Sequence, residues 1–212
     1  MNYYKELKEN WIKYLKIRKI GVFTLLSALL LGVVLTLFPI FLNDIESRDG
    51  FSFVDPIAGK AIPVDLTWFI FSLIYLSLAA AIVLFAREPA RLLTAVNSYS
   101  LLLLFRMAAM YLLPLEPPAS MIPLADPFVE FFGTGSTLTK DLFFSGHTAT
   151  MFLLFLNSEG MIQKILLLIA TLLVGIAVVI QHVHYSADVY AAPFFAYVSY
   201  AISKYLWYKT NI

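Results

Sequence analysis

Two short stretches of the chain hold the residues whose types and spacing suit chemistry. Residues 141–148 read DLFFSGHT and contain His147, and residues 182–188 read HVHYSAD and contain His184 and Asp188. A carboxylate beside an imidazole fixes its tautomer and stabilises its positive charge, which leaves the other ring nitrogen free as a nucleophile. His184 and Asp188 are four residues apart and are predicted to share one face of a helix. Two imidazoles and one carboxylate would suit the transfer of a phosphoryl group.

A binding site for an anion is predicted beside the first of these histidines. Ser145 and Gly146 precede His147 at a predicted helix start, and the free N–H groups of a helix N-terminus favour anions. We therefore expect a phosphate to lie against this turn, with Ser145, Gly146 and Thr148 as binding residues. Tyr185, which follows the second histidine, is a further candidate for substrate binding.

The composition indicates that these motifs lie in a membrane protein. The chain has 212 residues, of which 60% are hydrophobic and 14% charged, whereas soluble domains are about 25% charged. A net charge of +1 argues against a nucleic-acid partner, and the absence of cysteine excludes disulfides, thiolate metal sites and cysteine nucleophiles. We predict an all-α polytopic protein that needs no metal or other cofactor. Its oligomeric state is not predicted.

The chain divides into a short N-terminal helix and one membrane domain. Residues 1–19 are predicted to form an amphipathic helix in the membrane interface, with Tyr4, Leu7, Trp11 and Leu15 on one face. The alternative is a solvated basic tail. Residues 20–212 hold six apolar segments near the length of about 20 residues that a spanning helix needs. These predicted spans are Ile20–Leu42, Leu66–Ala86, Leu93–Leu113, Phe143–Leu156, Ile165–Ile180 and Val189–Trp207.

The distribution of basic residues predicts the orientation of this bundle. With the amino terminus in the cytoplasm, eleven Lys and Arg residues fall inside and three (Arg48, Lys60 and Lys140) fall outside, as the positive-inside rule requires. Both termini are then cytoplasmic, and both histidine motifs lie at the outer ends of spans four and six. The compact chain without added domains predicts the bacterial inner membrane, with a site that faces the periplasm. Spans three, four and six are predicted to meet around it.

Several other polar residues are candidates for roles near the site. Arg106 lies within the third span, and an ionisable residue at this depth is expected to contact phosphate or an acidic partner. The alternative is a salt bridge that packs the span. His182 is a secondary site candidate. Glu116 and Glu130 have no assigned role and are expected on the solvated surface. The long loop 114–142 is predicted to bind or cover substrate, with a short interfacial helix at Met121–Phe132.

The two motifs together resemble the paired signatures of sphingomyelin synthases and their bacterial relatives, within the superfamily of type 2 phosphatidic acid phosphatases. The first family signature reads Cys-Gly-Asp, two residues, aromatic-Ser-Gly-His-Thr, and residues 139–148 read TKDLFFSGHT. The second reads His-x-His-Tyr-Thr/Ser-x-Asp-Val, and residues 182–189 read HVHYSADV. Thr139-Lys140 therefore stands where the family has Cys-Gly. Arg106 with Tyr111 and Leu113-Pro114 is similar to a third segment of the synthases.

The resemblance implies a role for each matching residue. His184 would be the nucleophile that forms a phosphohistidine, and Asp188 would orient it. His147 would protonate the departing lipid alkoxide and then act as base for the incoming hydroxyl. Asp141 would pair with His147 or hydrate the loop. The implied activity is that of a lipid phosphotransferase or phosphohydrolase, with a membrane phospholipid as donor and ceramide, a diacylglycerol or water as acceptor.

Two other functions are compatible with the sequence. In the first, His147, His182, His184 and Asp188 would ligate zinc, although a His-x-His on a helix points its rings to opposite sides and metal ligands must converge. In the second, the six spans would form a transporter or a catalytically inactive scaffold. The spans carry little charge apart from Arg106, and no inverted repeat is visible, which speaks against transport.

Overall fold

The regular secondary structure of the described residues is helical, as predicted. A computed structural model of the chain describes residues 3–59, 61–125 and 137–211. Within these ranges the only β pairing is an isolated bridge between Phe51 and Leu115. The same ranges contain seven helices: α1 (Tyr3–Leu15), α2 (Arg18–Ser47), α3 (Thr67–Phe85), α4 (Pro89–Leu112), α5 (Gly146–Asn157), α6 (Met161–Ile180) and α7 (Ser186–Asn211).

Four of the helices are long and apolar enough to cross a membrane. These are α2, α3, α4 and α6, and they indicate an integral membrane protein. The helix α5 has 12 residues, or about 18 Å, which is short of a hydrocarbon core of about 30 Å. The helix α7 has 26 residues, but it is less apolar than the four helices above and is not counted with them. A bundle of six spanning helices therefore remains a prediction.

The N-terminal segment forms a helix that packs on the turn between α3 and α4. The indole Nε1 of Trp11 donates to the carbonyl of Ala86 over 2.8 Å, and the Asn10 amide donates to the carbonyl of Arg87 over 3.0 Å. The next helix begins at Arg18, inside the predicted interfacial segment. These contacts hold α1 at the end of the bundle opposite the histidine motifs, and its place in a membrane interface remains a prediction.

Two apolar clusters hold the helices that carry the motifs. One packs α3 against α5 and α6, through residues such as Phe71, Met151 and Val174. The other joins α4, α5 and α7 through Leu102, Phe144, Ala149, Leu153, Ala192 and Ala196. Small residues allow membrane helices to approach closely, and the three alanines of this cluster let α5 and α7 do so. The predicted meeting of spans three, four and six is confirmed, and it places the first turns of α5 and α7 side by side.

The loop segment 121–125 contains no helix. The interfacial helix predicted at Met121–Phe132 otherwise falls on 126–132, which lie outside the described residues.

Candidate active site

The first motif forms the start of α5, as the sequence predicted. Ser145 is the N-cap residue. Its hydroxyl accepts a hydrogen bond from the Thr148 N–H over 3.4 Å and lies 3.1 Å from the Thr148 hydroxyl. Serine is favoured at this position because its side chain satisfies a backbone donor that has no partner within the helix. His147 is therefore held in the first turn of α5, where the helix dipole is positive.

The two motifs are joined directly to each other. The backbone N–H of Ser145 donates to the carbonyl of Asp188 over 3.1 Å. The ring centroids of His147 and His184 are 5.9 Å apart, with the rings inclined at 61°. The edge of the His147 ring packs near Phe71, at a centroid distance of 6.1 Å. Two imidazoles from distant parts of the chain thus lie within reach of one small group.

The His184–Asp188 pair is formed in a way that differs from the prediction. The helix α7 begins at Ser186, so His184 lies before it rather than on its face. The Nδ1 of His184 is nevertheless 3.5 Å from Oδ2 of Asp188, within ion-pair distance but without hydrogen-bond geometry. The same oxygen accepts a hydrogen bond from the Tyr185 N–H over 3.0 Å. The turn 182–185 brings the pair together, because it folds back over the first turn of α7.

Both members of this pair are removed from solvent. His184 exposes 1% of its surface and Asp188 none. The second oxygen of Asp188, Oδ1, is buried without a hydrogen-bond partner. The Asp188 carboxylate thus faces the Tyr185 N–H and the His184 ring with Oδ2 and keeps free acceptor capacity on Oδ1.

Arg106 is the residue that ties α4 to the first motif. Its guanidinium donates to the carbonyl of Phe144 and forms a salt bridge with Asp141. Arg106 is buried, whereas Asp141 is only partly so. The acidic partner expected for this arginine is therefore Asp141, from the first motif. Asp141, which the family resemblance paired with His147, contacts Arg106.

The guanidinium of Arg106 also explains why Gly146 stands in the motif. A Cβ added to Gly146 would lie 2.6 Å from Cζ of Arg106, closer than carbon atoms normally approach. We expect Gly146→Ala to cost about 1–3 kcal/mol of stability and to lower activity as well, because the arginine must move away from Asp141 and Phe144. Thermal unfolding in detergent would measure the loss. Gly32→Ala is the matched control, since a Cβ there meets nothing within 4 Å, and equal unfolding of both variants would contradict the prediction.

Thr139 and Lys140, which precede the first motif, are held by two glutamates. The Glu46 carboxylate at the end of α2 accepts from the backbone N–H groups of Thr139 and Lys140 and from the Thr139 hydroxyl. The ammonium of Lys140 is 2.8 Å from Glu116. That hydrogen bond, with one from the Gly50 N–H, holds the pKa of Glu116 below its usual value. Glu116 is partly exposed and takes part in an ion pair that the sequence did not predict, and Glu130 lies outside the described residues.

Asp55 fixes the start of α7 from a distant loop. Its carboxylate accepts hydrogen bonds from the backbone N–H and the hydroxyl of Ser186. It also accepts from the N–H groups of Ile57 and Ala58 in its own loop. Burial raises the pKa of Asp55, but these hydrogen bonds together outweigh burial and hold the pKa below its ordinary value. Asp55 thus supplies the first turn of α7 with a negative charge, where a helix dipole favours one.

We expect Asp55→Asn to lower the stability of the protein by about 1–3 kcal/mol near neutral pH, because the amide NH₂ would face a backbone donor. The folded-state pKa lies below the unfolded value, so the carboxylate stabilises the fold fully above the unfolded pKa and loses this effect as the pH falls through the folded pKa. The difference between the unfolding temperatures of the two proteins should therefore be largest near neutral pH and shrink as the pH falls below about 4. Asp49→Asn, in the same loop but exposed, should change little at either pH.

A cavity of about 290 Å³ with both polar and apolar residues in its walls opens beside His184, and it is called the polar cavity below. Asp55, Ser120, His182 and Tyr185 are among its lining residues. Nδ1 of His182 is 2.6 Å from the Ser120 hydroxyl, whereas Nε2 is buried without a hydrogen-bond partner. His182 has a φ of 58°, a left-handed conformation that histidine tolerates better than most residues. This conformation turns the chain between α6 and α7 and places both His182 and His184 at one cavity.

Tyr185 contributes to the wall of this cavity. Its ring stacks on Phe53 at a centroid distance of 4.0 Å, and its hydroxyl donates to the carbonyl of Glu116 over 3.0 Å. Both contacts come from loops that are far from Tyr185 in the sequence. A direct role for Tyr185 in substrate binding remains a prediction.

The structure thus brings together all the predicted site residues at one end of the bundle, and it adds Asp55, Glu46 and Gln181. Gln181, which is fully buried, accepts from the Leu66 N–H and donates to Thr67 and Ile122. No local pattern in the sequence marks these three residues.

His182 and His184 lie in a turn, so the helical argument against a zinc site does not apply to them. Among the residues that the structure describes, no group of three or more His, Asp or Glu side chains is placed to hold a metal ion.

Comparison with known protein families gives a match in this region. No curated protein and no solved structure matches the chain. Residues 140–206 match the family described as PAP2 superfamily C-terminal, a segment that contains both histidine motifs, α5, α6 and most of α7. The match thus supports a place for this chain in the PAP2 superfamily.

Proposed function

We propose that the protein is an integral-membrane enzyme that cleaves the phosphate-bearing headgroup from a phospholipid through a phosphohistidine intermediate. The observation that carries this proposal is the position of His147 and His184, whose ring centroids are 5.9 Å apart. The Asp188 carboxylate lies beside His184, with its Oδ2 3.5 Å from Nδ1 of that ring. A phosphorus atom between the rings would have a nucleophile on one side and a proton donor on the other.

His184 is the nucleophile in this mechanism. Its Nδ1 faces Asp188, so Nε2 carries the lone pair that attacks phosphorus. A bond forms between Nε2 and phosphorus, and the bond between phosphorus and the glycerol oxygen breaks. His147 donates its proton to that departing oxygen, which leaves as a diacylglycerol hydroxyl. The Asp188 carboxylate stabilises the positive charge that develops on the His184 ring.

The second step restores the enzyme. His147, now neutral, takes a proton from the acceptor hydroxyl, whose oxygen attacks the phosphorus while the bond to Nε2 breaks. A lipid acceptor such as ceramide or a diacylglycerol gives headgroup transfer, and water gives hydrolysis. Both outcomes use the same three residues, and they differ in how well water is excluded from the phosphohistidine.

The phosphate is stabilised by the first turn of α5 and by Arg106 behind it. The N-terminus of a helix binds anions through its backbone N–H groups and its dipole. The guanidinium of Arg106 lies against Gly146 in this turn, so its positive charge adds to that of the helix end. Arg106 already donates hydrogen bonds to the Phe144 carbonyl and the Asp141 carboxylate. We therefore assign it to holding the turn in place and to making the electrostatic potential there more positive.

The polar cavity beside His184 suits the headgroup. Its volume of about 290 Å³ lies at the lower limit of ligand pockets, which is enough for a small headgroup but not for a lipid with two chains. Most of the basic residues lie at the opposite end of the bundle, which by the positive-inside rule supports a non-cytoplasmic face for this cavity. We propose the outer leaflet of a bacterial inner membrane as the source of the donor, with both termini in the cytoplasm.

The purified protein in nanodiscs, incubated with a panel of headgroup-labelled phospholipids, tests the proposal. Product analysis with and without added ceramide would identify the donor and distinguish transfer from hydrolysis. We expect release of diacylglycerol from at least one donor, with the label on a lipid acceptor or in water. Transport of intact lipid without product, as a carrier would give, or loss of activity in excess chelator would contradict the phosphohistidine mechanism.

A further inference from the structure

A second cavity lies below the site, between α5, α6 and α7. Its volume is about 460 Å³ and its walls are almost entirely apolar. Gly175 forms part of its floor. A Cβ there would lie 3.1 Å from Val189 and 3.5 Å from Thr148, so the bare backbone lets α6 approach the other two helices at this level. The remaining α6 residues along this groove are Leu168, Thr171, Leu172, Ile176, Val179 and Ile180.

The groove reaches both histidine motifs. Thr148, the neighbour of His147, lines it, and so does Ser186, two residues after His184. Asp55 lines the polar cavity and accepts two hydrogen bonds from Ser186. The Asp55–Ser186 contact therefore lies between the polar cavity and the apolar groove.

The dimensions and surroundings of the groove suit one lipid chain. From Leu168 to Ile180 it follows α6 for about 18 Å, close to the half-thickness of about 15 Å of a bilayer core. It ends at Ile180, beside the turn that carries His184. Leu172, Ile176 and Tyr190 on its rim are each more than half exposed, so the groove opens sideways to the medium around the helices, which in a membrane is hydrocarbon.

We infer that this groove holds an acyl chain of the donor lipid while its headgroup lies in the polar cavity. The inference rests on the proposed function, because it takes the phosphorus to lie between the histidines. A chain that moves from the bilayer into the groove stays in an apolar medium, so hydrophobic burial adds little affinity. The groove instead positions the glycerol oxygen against His147, and a small misplacement of reacting atoms can cost about 10²-fold in rate.

A variant that fills the groove tests the inference by kinetics. In nanodiscs, Ile176→Trp should lower kcat/KM between about tenfold and about 10²-fold for a long-chain donor, and change it little for a donor with the same headgroup and butanoyl chains. Leu172→Trp is a second variant on the same rim. Leu166→Trp is the matched control, because Leu166 is exposed on α6 but does not line the groove. Equal losses for both donors, or an equal loss in Leu166→Trp, would overturn the inference.

A labelling experiment tests the groove without turnover. A phospholipid with a diazirine at mid-chain is photolysed in nanodiscs that contain His184→Ala, so that bound donor is not consumed. We expect the label to concentrate on 168–180 and 189–193 and to fall several-fold when Ile176→Trp is added. Label spread evenly over lipid-facing residues such as Leu29 would overturn the inference. If wild-type protein turned over no donor but the label still concentrated in the groove, the proposed function alone would fail.

Discussion

His184→Ala is expected to lower lipid turnover by at least about 10⁴-fold, because it removes the atom that forms the covalent bond to phosphorus. We expect the remaining site still to hold the donor, since the backbone N–H groups at the start of α5 and the other lining residues of the polar cavity stay in place. The KM for the donor should therefore change much less than kcat. The His184 ring is almost completely buried, so the unfolding temperature must be measured alongside to separate chemistry from folding.

Rapid quenching with a donor labelled on phosphorus gives the sharper test of this residue. Wild-type protein should carry label that survives base and is lost in acid, as a phosphoramidate does, and the label should map to the peptide that contains His184. His184→Ala should carry none. The assignment would fail if this variant kept more than about 1% of the wild-type rate while unfolding at the same temperature, or if the label mapped to another residue.

His147→Ala is expected to lower turnover by about 10²–10⁴-fold, the usual contribution of a general acid–base group. His147 lies in the first turn of α5 with its ring 5.9 Å from that of His184, in a position to serve the leaving and incoming oxygens. Unlike the loss of His184, the loss of His147 removes only a proton carrier. Its effect should therefore depend on how much the leaving oxygen needs a proton.

A donor with a good leaving group separates the two histidines. The nitrophenyl ester of the same headgroup phosphate releases a weakly basic phenolate that needs no proton, so His147→Ala should still form the phosphohistidine. We expect a burst of about one nitrophenolate per protein followed by slow turnover, because the second step still lacks its base. His184→Ala should show no burst. Equal losses with lipid and nitrophenyl donors, and no burst in His147→Ala, would exclude the acid–base role.

The start of α5 shows what a local sequence pattern is able to predict. A serine before a glycine and an apolar run is a helix N-cap whose physics lies within four residues, and α5 begins where the sequence placed it. The long apolar segments are equally local, since every backbone group of a helix is satisfied within the segment. The second motif was less predictable. His184 and Asp188 have helical spacing, but the helix begins at Ser186, and the left-handed turn at His182 decides their distance.

The partners of the charged residues could not be read from the sequence. Arg106 bonds to Asp141, which is 35 residues away, and Asp55 bonds to Ser186, which is 131 residues away. Glu46 contacts Thr139 over a separation of 93 residues. Each carboxylate alone fits a solvated loop as well as a buried contact, because charge and residue type carry no information on the partner. The apolar groove below the site is likewise formed by three helices and belongs to none of them.

The sequence by itself predicted an all-α membrane protein, the start of α5 and the residues proposed for phosphoryl chemistry, and its basic residues predicted the end of the bundle at which those residues lie. These follow from interactions among near neighbours and from the transfer of side chains between water and hydrocarbon. Only the tertiary structure decided which carboxylate holds which motif, how far apart the two imidazoles lie and where an apolar groove forms. Those features arise from packing between helices that are distant in the sequence, which no local pattern encodes.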